Sequence, residues 1–449
     1  MDAAATSAVT GGRCSCERLA LVLVAGSIAL HVLFSGAVTL SPQEAYYWQY
    51  ARHLDLSYFD HPPLAAWTIR ATTALLGGSE RAVRLAASLH AALFAVFFFL
   101  AGRRLFGARA ALVAVVAGLV TPLFAFGQSI ITPDAPLLSG WAAALYFTVR
   151  ALDEERGGWL LAAGAAVGWS ALGKYTGWLL APQILLVLLL DQRGRRLLRG
   201  PWPYAAVLLA VALFSPVLLW NAHHGWVSFR FQFSERGAAL AAFSPSRIGR
   251  FLGLQALAVT PLLFAALLAA MAAAARRWRE PAFRVCAIFS IPILAIFTAV
   301  SPFMWVKGNW PAPAWPGALL AGAALLAEGT RPRRTFAAAA LGVAFAGTLY
   351  LHLATFVSWL PFPARDDVVT GWKELAVRVQ AERERIPGPS FVVGCGYKPA
   401  SELAYYLPDR PETFAQNALM EEGLQYDYWR DDRLLLGREG LLVLDRREW

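Results

Sequence analysis

Residues 41–64 read SPQEAYYWQYARHLDLSYFDHPPL, and this stretch decides how the rest of the chain is interpreted. Its first residues are a helix start, because a serine cap, a proline at the first helical position and Glu44 at the third form a capping box. The helix predicted over Glu44–Leu54 is rich in aromatic residues, which suit a membrane interface. Two prolines then precede the apolar segment Leu64–Leu76, which is too short to cross a bilayer. The stretch therefore predicts interfacial helices at one membrane face.

Long apolar blocks surround this stretch and decide the class of the protein. The 449 residues are 57% hydrophobic and 16% charged, whereas a soluble domain carries about 25% charged residues. A spanning helix needs roughly 20 apolar residues. Eleven blocks are candidate spans: 19–40, 83–102, 108–127, 135–151, 158–173, 175–191, 203–222, 249–275, 282–300, 313–328 and 335–356. The chain is predicted to be an all-α polytopic membrane protein with about 11 transmembrane helices.

Arginine clusters between the blocks predict the orientation. If residues 1–18 form a cytoplasmic tail, every inside connection is basic, as the positive-inside rule requires. We expect a multi-pass membrane protein with its N-terminus in the cytoplasm and its C-terminus outside. The first block exceeds the ~7–15-residue core of a signal peptide, so we expect it to be retained as a span. The inside connections are short, so function is expected on the outer face.

The chain is divided into three predicted parts. Residues 1–18 are the cytoplasmic tail, 19–356 the transmembrane domain with its outer loop 41–82, and 357–449 an extracytoplasmic domain. In this last part an amphipathic helix near Trp372 and short strands at Ser390–Gly394 and Leu441–Leu444 predict a small soluble α/β domain, docked on the outer loops.

The net charge of +10 raises the question of a nucleic-acid partner. The arginines sit in short clusters between apolar blocks, which topology control explains, so no nucleic acid is expected and the lipid bilayer is the expected partner. The four cysteines have neither disulfide-framework nor metal-site spacing.

Three acids are candidate catalytic groups. Glu44 and Asp60 lie in the first outer loop, and Asp134 lies at the outer end of a span. Acids held against a membrane are costly without a use. The structural alternatives are a helix cap for Glu44 and Asp134 and a turn-stabilising pair for Asp60 and His61. Two acids from separate loops could share a divalent metal or divide general-base and positioning work, and the sequence leaves the metal open.

Cations at the outer boundary are candidate phosphate ligands. Lysine occurs at four positions against 36 arginines, and Lys174 lies between two apolar runs, where an unpaired charge is expensive. It either snorkels to the interface or supplies a point charge to the phosphate of a lipid carrier. Lys307 could act in the same way, and Arg84 is a further outward cation. His223 and His224 could contact metal, phosphate or sugar, or be plain interface residues.

Several motifs resemble those of one family. EAYYW at Glu44–Trp48 and YFDHPPL at Tyr58–Leu64 resemble the first outer loop of the GT-C glycosyltransferases, above all the bacterial branch related to protein O-mannosyltransferases and lipid A aminoarabinose transferases. Further matching stretches follow in order: Ile131–Pro136, Gly173–Thr176, Asn221–Trp226, Lys307–Pro313 and Ala400–Leu407. Each motif is loose alone, and the ordered set is specific.

The resemblance implies a GT-C fold, a location in the bacterial inner membrane and a reaction. A hexosyl or pentosyl unit would pass from a polyprenyl-phosphate carrier to a hydroxyl of a lipid, polysaccharide or protein on the outer face, by a single inverting displacement. The residues implied are Glu44, Asp60 and Asp134 as catalytic acids, Lys174, His61, Lys307 and Arg84 as donor-phosphate ligands, and Tyr47, His223, His224, Asn309 and Tyr397 as substrate ligands. No cofactor is implied with certainty, and a divalent metal stays open.

One departure from the family keeps alternatives open. The family often has Asp-Glu where this chain has Gln43-Glu44, so any role of that first Asp must fall to Glu44 or Asp60, or be absent. An inactive relative serving as an assembly partner is one alternative. A transporter or lipid flippase is another, although no inverted repeat is evident and the inner loops are minimal.

Overall fold

The computed structural model describes residues 2–235, 242–355, 360 and 370–444, most of them in helices. The helical segments before the C-terminal part are Asp2–Phe34, Pro42–Arg52, Leu64–Leu76, Glu80–Phe106, Ala108–Val120, Pro122–Ser129, Asp134–Asp153, Gly158–Gly173, Tyr175–Leu179, Leu180–Leu190, Gln192–Leu197, Trp202–His223, Val227–Phe229, Arg230–Glu235, Pro245–Val259, Pro261–Arg276, Pro281–Val300, Ala312–Ala314, Trp315–Ala327 and Arg331–Ala354. Every predicted apolar block contains helix. The first helix begins at Asp2, so the predicted tail continues into the first span.

Several of these helices are long and apolar enough to cross a membrane. By length and composition they are Ser15–Phe34, Glu80–Phe106, Trp202–His223, Pro281–Val300 and Arg331–Ala354. The described part of the chain thus has five such helices, or up to seven if each of two bent pairs is one span. The chain is therefore a multi-pass helical membrane protein, and the number of eleven spans stays a prediction.

Two predicted blocks are broken rather than straight. The block 108–127 bends by 71° between Val120 and Pro122, and the block 249–275 bends by 104° between Val259 and Pro261. In each case a threonine precedes the proline that opens the second helix. Proline lacks the N–H that an α-helix needs and disfavours helical geometry in the residue before it, so the helix ends and restarts.

The loop 41–82, which is predicted to lie on the outer face, has the predicted helices. The capping box is present: the Ser41 N–H donates to Glu44 Oε2 at 2.9 Å, and the Glu44 N–H donates to Ser41 Oγ at 3.4 Å. The helix begins at Pro42 and ends at Arg52, two residues before the predicted end. The second helix, Leu64–Leu76, has the predicted bounds.

The C-terminal part is a small α/β unit. Its strands β1 (Ser390–Gly394), β2 (Thr413–Phe414) and β3 (Glu439–Val443) form a parallel sheet in the order β2-β1-β3. Parallel strands need a crossover connection, and the helix Tyr397–Tyr406 connects β1 to β2. The other segments are Trp372–Arg383, Gln416–Leu419, Tyr426–Trp429 and Asp432–Leu434. The strand predicted at Leu441–Leu444 starts two residues earlier.

This unit packs on the loop 41–82. The helix Tyr397–Tyr406 lies against Pro42–Arg52, and the two share a buried cluster with Tyr426. Hydrogen bonds cross the contact: the Leu40 N–H donates to Tyr406 Oη at 2.7 Å, and Tyr405 Oη donates to the Gly78 carbonyl at 2.8 Å. The docking on the outer loop was predicted, and it brings the C-terminal part beside Asp60.

Candidate functional site

Asp60 is an acceptor held by two tyrosines. Tyr46 and Tyr50 stand four residues apart on one helix, so their side chains share a face, and both phenols donate to Asp60 Oδ1, Tyr46 at 3.3 Å. Burial, with the Asp60 charge as second cause, raises the pKa of both tyrosines well above 10, so the phenols stay protonated. Gln232 Nε2 donates to the Asp60 carbonyl at 2.7 Å. Asp60 is buried but keeps 8% of its surface exposed.

His61 and Tyr47 flank this carboxylate. His61 Nε2 lies 3.9 Å from Asp60 Oδ2, which is the turn-stabilising pairing left open above. The ring of Tyr47 meets His61 edge to face at 5.7 Å between centroids. Tyr397 of the C-terminal part packs its ring 4.7 Å from that of Tyr46. Four predicted site residues, Asp60, His61, Tyr47 and Tyr397, are therefore brought together here.

A second polar cluster joins three distant motifs. Lys174 Nζ donates to Asp134 Oδ1 at 2.8 Å, and Asn309 Nδ2 donates to Asp134 Oδ2 at 2.6 Å. The side chains of Lys174 and Asp134 are 12% and 13% exposed. Asp134 stands in the first turn of its helix, where a negative charge is favoured, but its side chain caps no backbone N–H. The alternative of an N-cap is therefore not what the structure has.

An apolar cavity of about 280 Å³ opens beside this cluster. Asp134 and Asn309 line its polar end, and the remaining wall is mostly phenylalanine, leucine and alanine. Leu119 and Phe124 stand on either side of the 71° break before Pro122, so the bend of this predicted span shapes the cavity. The site thus combines a charged end with a long apolar lining.

The two polar clusters are neighbours. Tyr175, the residue after Lys174, lies beside Ser57 and Ser228 and within range of the Asp60 charge. Ser228 Oγ donates to the Tyr58 carbonyl at 3.0 Å, two residues before Asp60. Lys174 lies at the break between the helices Gly158–Gly173 and Tyr175–Leu179, and this break is therefore next to the loop that carries Asp60.

Glu44 and Arg84 form a buried ion pair outside this arrangement. Arg84 Nε and Nη2 donate to the two carboxylate oxygens of Glu44, each at 2.9 Å, and the side chains are 4% and 0% exposed. The guanidinium also donates to the carbonyls of Ser35, Val38 and Thr39. All three nitrogens are engaged and the carboxylate has no exposed surface, so the predicted catalytic role of Glu44 and phosphate role of Arg84 do not fit this geometry. The cap alternative for Glu44 does.

The remaining predicted residues lie at the edge. His224 stacks on Trp220 at 3.9 Å and its Nδ1 pairs with the Trp220 carbonyl at 2.8 Å, while His223 is exposed. Lys307 is exposed, two residues before Asn309. These contacts fit the interface interpretation of the histidines. Within the described ranges, no group of three or more His, Cys, Asp or Glu side chains is placed to hold a metal ion.

Two features of the site escaped the sequence interpretation. Tyr46 and Tyr50 were noted as interfacial aromatics, although their spacing of four residues indicates a shared face. His90 lies in a span beside the cavity, with Nδ1 3.1 Å from Ser139 Oγ and Nε2 3.1 Å from Thr68 Oγ1. An ionisable residue inside an apolar block is itself a signal of a functional site.

Comparison with known proteins finds relatives over more than half of this chain. A family model described as dolichyl-phosphate-mannose-protein mannosyltransferase matches residues 60–220, which include Asp60, Asp134 and Lys174. Lipid A galacturonosyltransferase RgtD of Rhizobium johnstonii is 28% identical over 285 residues, which cover 62% of this chain and 59% of RgtD. Lipopolysaccharide core galacturonosyltransferase RgtA of the same organism is 27% identical over 247 residues, 54% of this chain and 48% of RgtA. The chain spans about half the length of these curated relatives.

A solved structure shares this fold over nearly the whole length of both chains. The crystal structure of ArnT from Cupriavidus metallidurans bound to undecaprenyl phosphate superposes with a TM-score of 0.68 at 19% identity, covering 95% of this chain and 93% of ArnT. The chain is thus similar over residues 60–220 to the dolichyl-phosphate-mannose-protein mannosyltransferases and over more than half of its length to the two galacturonosyltransferases, and it shares the fold of ArnT, which is the resemblance that its motifs predicted.

Proposed function

We propose that this protein transfers a sugar from a polyprenyl-phosphate carrier to a hydroxyl of a glycolipid on the outer face of the bacterial inner membrane. The observation that carries the proposal is the Lys174–Asp134–Asn309 cluster at the polar end of an apolar cavity. A polyprenyl phosphate has the same two parts, an apolar chain and an anionic head. The proposal keeps the predicted orientation, with residues 357–449 outside.

The donor is proposed to bind with its chain in the apolar cavity. The undecaprenyl phosphate in the ArnT crystal supports a donor of this class, and the acceptors in the names of RgtD and RgtA support a lipid A or lipopolysaccharide-core acceptor. The cavity holds about 280 Å³, close to the lower end of pockets for drug-sized ligands, about 300–1,000 Å³. It would therefore take the first isoprene units, and lipid would surround the rest.

Lys174 is the proposed ligand of the donor phosphate. An ammonium group has three N–H donors, and one of them points to Asp134. The pairing fixes the direction of the lysine, and the remaining donors can meet phosphate oxygens. Asn309, held by the same carboxylate, can donate its second amide N–H. In this scheme Asp134 positions the two ligands and does not touch the reacting atoms.

Asp60 is the proposed general base. It would accept the proton of the acceptor hydroxyl while the hydroxyl oxygen attacks the anomeric carbon and the bond from that carbon to the phosphate oxygen breaks. The electron pair leaves with the phosphate, whose developing charge Lys174 stabilises in a site of restricted water access. The tyrosine pair keeps the carboxylate in one orientation. Glu44 takes no part in this scheme. Asp60 would therefore take the role of the aspartate that the family often has where this chain has Gln43.

A reconstituted transfer assay tests the proposal. Purified protein in nanodiscs is given polyprenyl-phosphate-linked galacturonic acid and lipid A, and the product is measured by mass spectrometry. We expect transfer by the wild-type protein and its loss in Asp60→Asn. If wild-type protein moves the carrier between leaflets without forming a new glycosidic bond, the flippase alternative replaces the proposal.

A further inference from the structure

A second cavity, of about 230 Å³, lies where the C-terminal unit meets the end of the helix Pro42–Arg52. Its walls come from three chain segments, with His53 after the helix, Glu412 before β2, and Trp429 with Arg430 at the end of a short helix. It shares no lining residue with the cavity beside Asp134. Drug-sized ligands need about 300–1,000 Å³, so this cavity suits one ring.

The charged groups that line this cavity, Glu412 and Arg430, are each held in place by hydrogen bonds. The Glu412 carboxylate binds Arg52 Nη2 at 2.9 Å and His53 Nε2 at 3.1 Å. The hydrogen bond from His53 lowers the pKa of Glu412, so the carboxylate is ionised at neutral pH and accepts hydrogen bonds. Arg430 Nη1 donates to the Asn417 carbonyl at 2.6 Å, which fixes the guanidinium at the wall. Arg52 and His53 thus hold the carboxylate of Glu412, and Arg430 stands at the wall of the same cavity.

The aromatic groups form a rigid platform. The Trp429 ring stacks with His53 at 4.8 Å and meets Tyr426 edge to face at 5.3 Å. It also meets Tyr50 at 5.5 Å, and the Tyr50 hydroxyl donates to Asp60. The cavity therefore lies one aromatic layer away from the proposed general base.

This composition suits a charged sugar. Ligand sites combine aromatic walls with a few fixed polar groups, and a pyranose presents C–H groups to an aromatic ring and hydroxyls to a carboxylate. A carboxylate has room for about four hydrogen bonds, and two of these positions on Glu412 are used. A guanidinium pairs well with an anionic substituent.

We propose that this cavity is a subsite for an anionic pyranose of the acceptor, away from the hydroxyl that reacts. The inference rests on the proposed function for the identity of the ligand as an acceptor. Binding energy from a remote part of a substrate can hold the reacting part in place. The shared chemistry is a sugar ring with a negative charge, whether carboxylate or phosphate.

Direct binding tests this inference without turnover. Full-length protein in nanodiscs is studied by saturation-transfer NMR with galacturonate, with galactose as the uncharged match, and with inorganic phosphate as a competitor. The variants are Arg430→Gln, Trp429→Ala and Trp429→Phe, which keeps a ring if the alanine variant misfolds. Arg378→Gln, an exposed arginine of the same unit, is the control.

The expected result is binding of galacturonate about tenfold tighter than of galactose, since a charge-assisted hydrogen bond contributes at least that factor. Arg430→Gln should bring galacturonate to the level of galactose, Trp429→Ala should weaken both, and Arg378→Gln should change neither. Equal binding of the two sugars, binding unchanged in both Arg430→Gln and Trp429→Ala, or phosphate binding as tight as that of galacturonate, which would mean that the sugar ring adds nothing, would overturn the inference. Lys174→Ala, measured in the same way, should keep saccharide binding and lose sugar transfer, which separates the two proposals. If the wild-type protein binds saccharides without transferring sugar, the transferase proposal fails and the saccharide subsite stands.

Discussion

Lys174 and Asp134, 40 residues apart in the chain, form an ion pair of 2.8 Å at the polar end of an apolar cavity. Each side chain is nearly buried, and burial of an isolated charge at membrane depth is expensive. The pair neutralises both charges and keeps the ammonium beside the cavity. The ion pair therefore contributes both to stability and to the proposed binding of the donor phosphate. Mutation can separate these two contributions.

Lys174→Met should lower kcat/KM for sugar transfer by about 10²–10³, the loss usual when one donor to a developing charge is removed. It also leaves the Asp134 carboxylate without its cation and with only the Asn309 hydrogen bond, so stability should fall as well. The double variant Lys174→Met with Asp134→Asn should regain stability, because no uncompensated charge remains, and it should stay inactive. Thermal unfolding and transfer are measured side by side, with Arg378→Gln, an exposed cation of the C-terminal unit, as the control. Recovery of activity in the double variant would contradict the assigned role.

Asp60→Asn should reduce kcat by about 10²–10⁴, as expected for loss of a general base, with little change in KM for the donor. The amide is close in shape and still accepts the tyrosine hydrogen bonds, so unfolding should change little. Asp431→Asn, an exposed acid of the C-terminal unit, is the matched control. A rise in donor KM with unchanged kcat would instead assign Asp60 to donor binding.

Glu44→Gln and Arg84→Gln should each destabilise the protein by about 3–5 kcal/mol, because each leaves a buried charge without its partner. The double variant should be less harmful than either single change. Purified protein that stays folded should keep a near-normal kcat, since neither group faces the cavity. A folded Glu44→Gln protein without activity would return Glu44 to the catalytic group.

Local signals in the sequence predicted the elements well. The capping box at Ser41, the end of the helix at Leu76 and the strand Ser390–Gly394 all depend on neighbours within a few residues, and each is present. The bends before Pro122 and Pro261 had a visible cause, but their angles depend on the helices packed around them.

The pairing of side chains was harder to predict than the positions of helices and strands. Glu44 and Asp60 are both acids in one aromatic loop, and their chain neighbours do not separate them. The difference arises because Arg84, 40 residues away, reaches Glu44, whereas two phenols reach Asp60. Such pairings across spans are fixed by helix packing, which a single sequence does not specify residue by residue.

Glu402 should make docking of the C-terminal unit sensitive to pH. This carboxyl is 1% exposed on the helix that packs against Pro42–Arg52, and neither of its oxygens has a hydrogen-bond partner among the described residues. Burial, and then the negative charge of Glu44, raises its pKa well above 4.5, while Arg84 lowers it in part. Burial in the docked unit therefore favours the protonated form of this carboxyl.

The direction of the pH effect follows from this shift. A group whose pKa is raised in the folded state contributes its full stability below its ordinary pKa and loses it as pH rises toward the folded pKa, by about 1.4 kcal/mol per pH unit. Hydrogen exchange of the Tyr397–Tyr406 helix should therefore quicken as pH rises above 4.5, beyond the intrinsic rate increase. Glu402→Gln, which cannot ionise, should lose this dependence and be the more protected protein at neutral pH, while the exposed Glu374→Gln should follow the wild type. The same excess dependence in Glu402→Gln would mean that another group controls the docking.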